Sequence, residues 1–379
     1  MILDNIIDNA DGLRPTIVEV SLQQICDNFT NIKVATKQKV MPILKANAYG
    51  HGLLRVAQLM QTLNADYLGV AFLEEGLLLR KNGITAPILI LGGIIGNQIP
   101  HFIKNDLTIT ASSLSKLEQI DMTAGQLKKK AKVHLKIDTG LERIGVHYYN
   151  AENFILQTAQ YKNIVIEGIF SHFANADSND LSHARLQLER FNQVLSYYDR
   201  HDLIRPEFVH MANSGAILQL PEAHFNMVRP GIILYGVYPS LQVKKTIELH
   251  PALSWKSRVV YFKVITPGHP VGYGSTWETD KNSRAITIPV GYGDGYFRCM
   301  SNKAEIIVRG QKFPIIGNIS MDQIVANIGD KSAYNDDEVI LIGKQNEAEV
   351  TCEDLADWAN TIPYEVLTNI NTRVPRVYK

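Results

Sequence analysis

The sequence is poor in cysteine, in net charge and in long apolar runs, and each shortage removes a class of protein. Its three cysteines, Cys26, Cys299 and Cys352, lie far apart with no CxxC spacing, which argues against a disulfide framework and for a reducing compartment. Thirty-eight basic residues balance 38 acidic ones, so no global field draws the chain to nucleic acid or to an anionic membrane. The run Lys128–Lys130 is the one dense basic patch and reads as a solvated helix end. No window approaches 18 uninterrupted apolar residues, so no spanning helix is expected. The opening stretch MILDNIIDNADGLRP carries acids where a secretion signal would carry bases. The expectation is a cytoplasmic, soluble protein with small-molecule partners.

Two catalytic classes also lack their signatures. Eleven histidines show no HExxH spacing, which disfavours a metal hydrolase, and no metal site is expected. Gly291, Gly293 and Gly295 are spaced GxGxG, not GxGxxG, among strand-like segments, so they read as turn glycines and not as a dinucleotide fingerprint.

What is present is an ordinary globular composition, 45% hydrophobic and 20% charged, over 379 residues, enough for two or three domains. Apolar runs at 40–45, 67–72, 87–91, 107–111, 132–138, 164–170, 207–212 and 225–229 are rich in Val, Ile and Leu and bounded by Gly, Pro, Asn or Asp, as buried strands are. Between them lie amphipathic stretches, such as Leu53, Val56, Ala57, Met60 and Leu63. Another runs from Ser182 to His201, with Leu186, Phe191, Leu195 and Tyr198 periodic. Eight strands alternating with helices fit an α/β fold of the (β/α)8 TIM-barrel type over residues 1–248. From 249 to 379 the texture becomes mainly β, through WKSRVVYFKVI, RAITIPV, AEIIVRG, QIVANI and EVILIG. The first fourteen residues are candidates to pack with this C-terminal domain. One clear helix remains there, near Glu353–Ala359, with Thr351 as N-cap and Asp354 completing a capping box.

Barrel chemistry gathers at the carboxyl ends of the strands. Lys45 closes the first expected strand, Lys136 and Asp138 the fifth, and His172 comes just after the sixth. His210 ends the seventh with Asn213 and Ser214 beyond it, and Arg229 closes the eighth before Gly231 and Ile232. A lone strand-end lysine is usually solvated, and a lone histidine is usually a structural donor. Six such residues on one rim point to a site, and a phosphorylated ligand fits the loops after strands seven and eight.

At KANAYGHG (residues 45–52) the chain resembles alanine racemase, a fold-type III pyridoxal phosphate enzyme. The likeness runs through RPTIVEV (14–20), LKIDTGLERIGV (135–146), FSHFANAD (170–177), HMANSGA (210–216) and RPGIILYG (229–236). It continues through VGYGSTW (271–277), IPVGYGDGY (288–296), GNISMDQ (317–323) and IPYEVLTNINTRVPR (362–376). The resemblance implies pyridoxal 5'-phosphate held as a Schiff base on Lys45, which also serves as a base. Tyr49, Ser214, Gly231, Ile232 and Tyr364 would reach the phosphate, with His172 and Asn213 also beside the cofactor. Arg229 would face the pyridine nitrogen and, as a guanidinium, would not give up a proton to it. The second base would be Tyr273, contributed by the partner subunit of a homodimer, and His210 would link it to Arg229. Arg143 and the backbone of Met321 would take the carboxylate of alanine, Tyr292 would narrow the entrance, and Asp322 would support that region. Lys136 stands where some family members carry a carbamylated lysine that orients Arg143. The product, D-alanine, would serve bacterial peptidoglycan.

The chain departs from the family pattern at Asn318, where arginine is frequent, at Thr368, Asn369 and Asn371, and at the variable Glu142. The alternatives are a racemase of broader choice, for serine or lysine, a decarboxylase of the same fold, or a non-catalytic pyridoxal phosphate-binding protein. The β region with Tyr273 and Met321 disfavours the last.

Overall fold

The computed structural model describes residues 13–379, so the readings of the opening stretch, as unlike a secretion signal and as a candidate to pack with the C-terminal domain, lie for residues 1–12 outside the described residues. The described chain divides into two units, one of residues 26–48 and 53–250, the other of 13–25, 49–52 and 251–379.

The first unit is a parallel barrel. Its strands are Lys39–Val40, Leu68–Val70, Ile88–Ile90, Thr108–Ala111, Ala131–Asp138, Ile164–Phe170, Phe208–His210 and Met227–Val228. They pair in chain order, and Met227–Val228 returns to Lys39–Val40. A parallel bridge between Ile43 and Gly69 closes the ring, with Leu44 N–H donating to Gly69 O at 2.8 Å. All eight expected strands are present, most of them shorter than their apolar runs, because a run also covers the residues that turn the chain at the rim. Side chains on the faces of these strands that turn away from the barrel interior, including Val40, Leu68, Ile90, Val133 and Ile137, are fully or almost fully buried under the surrounding helices.

The outer helices bury the stripe that their spacing requires. Leu53–Thr62 covers Leu53, Val56, Ala57 and Met60. Ser182–Arg200 buries Ala184, Gln187, Leu188, Phe191, Val194, Leu195, Tyr197 and Tyr198. Leu186, expected on that stripe, is 40% exposed. It lies five residues from Phe191, about 140° round the helix, and so falls off the buried face.

The second unit is mainly β. One sheet runs Gln311–Pro314, Glu305–Val308, Glu338–Gln345, Leu253–Arg258, Ile17–Val20 and Arg376–Tyr378, with Ala348–Val350 beside Glu338–Gln345. A second sheet joins Tyr261–Ile265, Ser283–Ile288 and Ile324–Gly329. WKSRVVYFKVI is therefore two strands and not one. At the break Val259 N–H donates to Asp337 O and Val260 N–H to Thr287 O, so adjacent residues serve different neighbours. Ile17–Val20 falls within the expected 1–248 body, yet it pairs with Leu253–Arg258 and Arg376–Tyr378. Val18 and Val20 are fully buried there, and Thr16 Oγ1 bonds Ser257 Oγ at 2.8 Å.

The helix Cys352–Ala359 has the expected capping box. Thr351 Oγ1 accepts from Asp354 N at 3.0 Å, and Asp354 Oδ2 accepts from Thr351 N at 2.8 Å. A second helix, Pro363–Asn369, goes beyond the one expected; proline at its first position is its sequence signal.

Candidate active site

On the barrel unit, Lys45 opens a turn in the left-handed region, with φ near 53° at Ala46, 55° at Asn47 and 53° at Ala48. Such residues are disfavoured by about 1–2 kcal/mol each, so neighbours must hold them. Glu75 does this, taking Ala46 N at 2.7 Å and Ala71 N at 2.8 Å on its two carboxylate oxygens. Asn47 Oδ1 accepts from Leu53 N at 2.8 Å. Burial lowers the Lys45 pKa and Arg143 lowers it further, while Glu75 opposes them. The result is an amine closer to its neutral, nucleophilic form.

Arg229 is the centre of this rim, with only 3% of its surface exposed. Its Nη1 donates to His210 Nδ1 at 2.8 Å. Its Nη2 donates to Ser171 O at 2.8 Å, His172 Nδ1 at 3.0 Å and Met211 O at 3.1 Å. Every partner is neutral, and no carboxylate pairs with this guanidinium among the described residues. Burial pulls its pKa down to about 9, still above neutral pH, so the charge is kept. Burial, Arg229, Lys136, Arg143 and Lys45 all push His172 well below the usual imidazole range, which gathers four basic side chains about one ring. Lys136 Nζ lies 4.6 Å from the centre of the Phe170 ring. Burial, then Arg229, then Arg143 hold Lys136 well below the usual lysine range, with Asp138 opposing.

The structure corrects one expected role. His210 is expected to link Tyr273 to Arg229, but its Nε2 lies 2.9 Å from His134 Nδ1 while its Nδ1 accepts from Arg229. Both ring nitrogens are thus engaged inside the barrel. His172 uses only Nδ1 on Arg229, and its Nε2 remains for a further partner.

Arg143 sits on a loop shaped by Asp138. Asp138 Oδ1 accepts from the N–H groups of Gly140, Leu141 and Glu142 at 2.8, 3.0 and 3.3 Å, and Oδ2 from Arg143 N at 3.2 Å. Gly145, at φ 130°, returns the chain to the strand; a Cβ there would lie 2.8 Å from Asp138 N. Gln187 ties the loop to its neighbour, its amide nitrogen donating to Thr139 Oγ1 and to His172 O at 3.1 Å.

In the loops after the last two barrel strands, Ser214 Oγ accepts from Gly231 N at 3.0 Å, which leaves the Ser214 O–H to donate. Gly231 N–H, expected as a phosphate donor, is therefore committed to the serine. Ile232 begins a short 3-10 turn, Ile232–Tyr235, and its N–H has no acceptor within that turn. Asn213 caps the helix Ser214–Gln219, its Oδ1 accepting from Ala216 N at 3.1 Å.

The other expected residues belong to the second unit. Tyr49 and Tyr364 rings lie 6.1 Å apart, and Gly50 O accepts from Arg376 Nε at 3.0 Å. A Cβ at Gly50 would meet Leu367 O at 2.2 Å, so only glycine allows this approach. Tyr273 is 73% exposed, and Asn318 Nδ2 donates to its carbonyl at 2.7 Å. The departure at Asn318 thus supports the backbone of Tyr273. The Tyr292 and Met321 loops are zipped together, Tyr292 N–H donating to Ser320 O at 3.0 Å and Gly293 N–H to Met321 O at 2.9 Å. Arg373 braces this pair through Asp294 Oδ1 and Asp322 Oδ1, each at 2.7 Å. Sequence reasoning gave no role to Asp294, although it stands in IPVGYGDGY; it is fully buried and also bonds Arg14.

The rim suits pyridoxal phosphate on the chemistry of its donors. A lysine pushed toward neutrality can take an aldehyde. A buried guanidinium without an anion can face a ring nitrogen and leave it unprotonated. A serine O–H and a backbone N–H can take phosphate oxygens. A barrel rim of this kind joined to a β unit defines an amino-acid-processing enzyme of fold-type III. Residues 20–239 match the alanine racemase N-terminal domain and residues 252–378 the alanine racemase C-terminal domain. Alanine racemase 2 of Caldanaerobacter subterraneus subsp. tengcongensis is 43% identical over 372 residues, covering 97% of this chain and 96% of that one. The solved alanine racemase of Clostridium difficile 630 superposes with a TM-score of 0.90 at 38% identity, covering 96% of each chain. A histidine racemase from Leuconostoc mesenteroides subsp. sake does so with a TM-score of 0.88 at 30% identity, over 97% of this chain and 98% of that one. The chain belongs to the alanine racemase family.

Burial opposes ionisation of Asp138, but the amides of Gly140, Glu142 and Leu141 and the charge of Lys136 outweigh it and hold its pKa below the usual carboxylate value. Its contribution to stability is therefore full above the unfolded pKa, about 3.9, and is lost as pH falls through the lower folded value. Asp138→Asn should cost about 1.5–3 kcal/mol at neutral pH and flatten the acid limb of the stability curve, as measured by urea unfolding from pH 7 to pH 3. An unchanged acid limb would contradict this assignment.

Proposed function

We propose that this protein interconverts L- and D-alanine with pyridoxal 5'-phosphate on Lys45, as a homodimer whose sites draw residues from both subunits. The observation that carries the reading is Arg229, a buried guanidinium with four neutral acceptors and no carboxylate. When bound, the cofactor supplies an electron sink that acidifies the α-carbon of the substrate. Beside an unprotonated ring nitrogen that sink is weak, which limits side reactions such as transamination.

The chain's own groups do the rest. The Lys45 amine, its pKa lowered by burial and by Arg143, moves the proton on one face. The partner's Tyr273 moves it on the other, and its 73% exposure on a single chain suits a residue that serves another subunit. His172 offers Nε2 to that tyrosine while Nδ1 accepts from Arg229, so the guanidinium favours the phenolate through one neutral ring. Arg143, aimed by Asp138, takes the substrate carboxylate together with the N–H of the partner's Met321. Ser214, Ile232, Tyr49 and Tyr364 hold the phosphate, and Tyr292, braced with Asp322, narrows the entrance. Product D-alanine supplies peptidoglycan in the cytoplasm. Among the described residues no helix is long and apolar enough to cross a membrane.

The histidine racemase with the same fold supports a second reading, in which the pocket takes larger side chains. Racemisation of serine, lysine or histidine at rates near that of alanine would favour it.

Carbamylation of Lys136 is a consequence of the local charge. Lowering the pKa of a buried amine favours its neutral form, which can attack CO2, giving an N-carboxylate and releasing one proton. The new anion would answer Arg143 and the other cations nearby. Density showing a bare Lys136 amine at neutral pH, in a map that resolves its neighbours, would remove this step.

Purified protein loaded with pyridoxal phosphate should be yellow, and borohydride should bleach it and leave the cofactor covalently on Lys45. Lys45→Ala should neither form that adduct nor racemise alanine. A colourless, inactive protein in excess cofactor would defeat the reading.

A further inference from the structure

The barrel encloses a histidine to which racemisation assigns no part. His134 lies within the fifth strand, fully buried, with Nδ1 2.9 Å from His210 Nε2. Its ring stacks on Phe208 at 5.8 Å between centroids and meets Tyr67 at 5.3 Å. The surroundings would suit a phenylalanine. A Cβ at Gly168 on the next strand would lie 2.5 Å from His134 Nδ1, so the barrel leaves room for this ring and no more.

Counting hydrogens orders the whole chain of bonds. Arginine can only donate, so His210 Nδ1, which accepts from Arg229, carries no hydrogen. Neutral His210 therefore carries its hydrogen on Nε2 and donates it to His134 Nδ1. Neutral His134 must in turn be protonated at Nε2, and that nitrogen is buried with no partner among the described residues. Both rings stay neutral: burial and then Arg229 lower each of them, His134 to about 3. An unpaired buried N–H is costly, and phenylalanine would avoid it. What histidine adds here is the acceptor that it offers to His210.

We propose that His134 is a positioning residue for Arg229: by accepting the Nε2 hydrogen of His210 it locks that ring's tautomer and orientation, and so holds the guanidinium in place. Without the acceptor, His210 can move its hydrogen to Nδ1, where donor would face donor at Arg229, or turn its ring away. The consequence for catalysis rests on the reading that Arg229 faces the cofactor ring; the tautomer does not.

The test uses His134→Phe, which keeps the ring stack, and His134→Asn, whose Oδ1 can replace Nδ1 as acceptor. In cofactor-free protein labelled with 15N-histidine, the His210 signals are assigned by their loss in His210→Gln. Wild type should show a neutral ring with hydrogen on Nε2, His134→Phe a mixture or the other tautomer, and His134→Asn a return to the wild-type pattern. In loaded protein, kcat for alanine should fall about tenfold or more in His134→Phe, with KM moving about twofold at most, and recover in His134→Asn; tenfold corresponds to about 1.4 kcal/mol of barrier. Hydrogen on Nδ1 of wild-type His210 would overturn the proposal whether or not the variants fold. So would a normal kcat in His134→Phe, or a lost kcat with an unaltered His210 tautomer. Failure of wild type to bind cofactor would instead count against the proposed function and leave the tautomer result standing.

Discussion

The barrel rim depends on a buried positive charge that nothing negative neutralises. Arg229 is held by two imidazole nitrogens and two backbone carbonyls, all acceptors without charge. A carboxylate in any of those places would give the guanidinium a strong partner and lower the local potential. Neutral acceptors fix its direction and leave its field intact. That field reaches the neighbours: with burial, the larger cause, it lowers His172 and His210 well below the usual imidazole range and Lys136 well below the usual lysine range. An anionic ligand is then the natural complement of the rim.

Rigidity is unevenly distributed. On the barrel unit the reactive groups stand at strand ends, and carboxylates and amides set the loops between them, with Asp138 gathering four N–H groups and Glu75 holding the strained turn after Lys45. On the β unit Tyr273, Tyr292 and Met321 are 73%, 43% and 53% exposed, yet their backbones are pinned by Asn318, by paired loop hydrogen bonds and by Arg373. Exposed side chains on a fixed backbone are what a surface needs if it is to complete another subunit's site without a large ordering cost.

Much of this is legible in the residues. The eight parallel strands show as apolar runs because both faces of a barrel strand are covered, so hydrophobicity is continuous and bounded. Lys45 and Arg229 stand in KANAYGHG and RPGIILYG, the two specific motifs, whereas VGYGSTW around Tyr273 would be weak alone. Other features cannot be read. Ile17–Val20 joins a sheet whose other members come more than 200 residues later, and no local pattern reveals a partner at that distance. Leu186 is misplaced because a helix stripe drifts at 3.6 residues per turn and one apolar residue off the stripe looks periodic over a short window. The linking role expected of His210 fails for a different reason. Which of two histidines near an arginine keeps a free nitrogen depends on a third, His134, which reads in sequence as one more residue of a buried strand. Asp294 likewise gathers Arg14 and Arg373 from opposite ends of the chain, and only the fold brings them together.

Two bases on opposite faces of one carbon, drawn from different subunits, can be tested by mixing. Lys45→Ala and Tyr273→Phe are each expected to be nearly inactive alone. After demonstrated subunit exchange, a random mixture should contain about half hybrid dimers, each with one site bearing both wild-type residues, and alanine racemisation should return to about a quarter of the wild-type rate per subunit. No recovery, with hybrids shown to be present, would contradict a site shared between subunits.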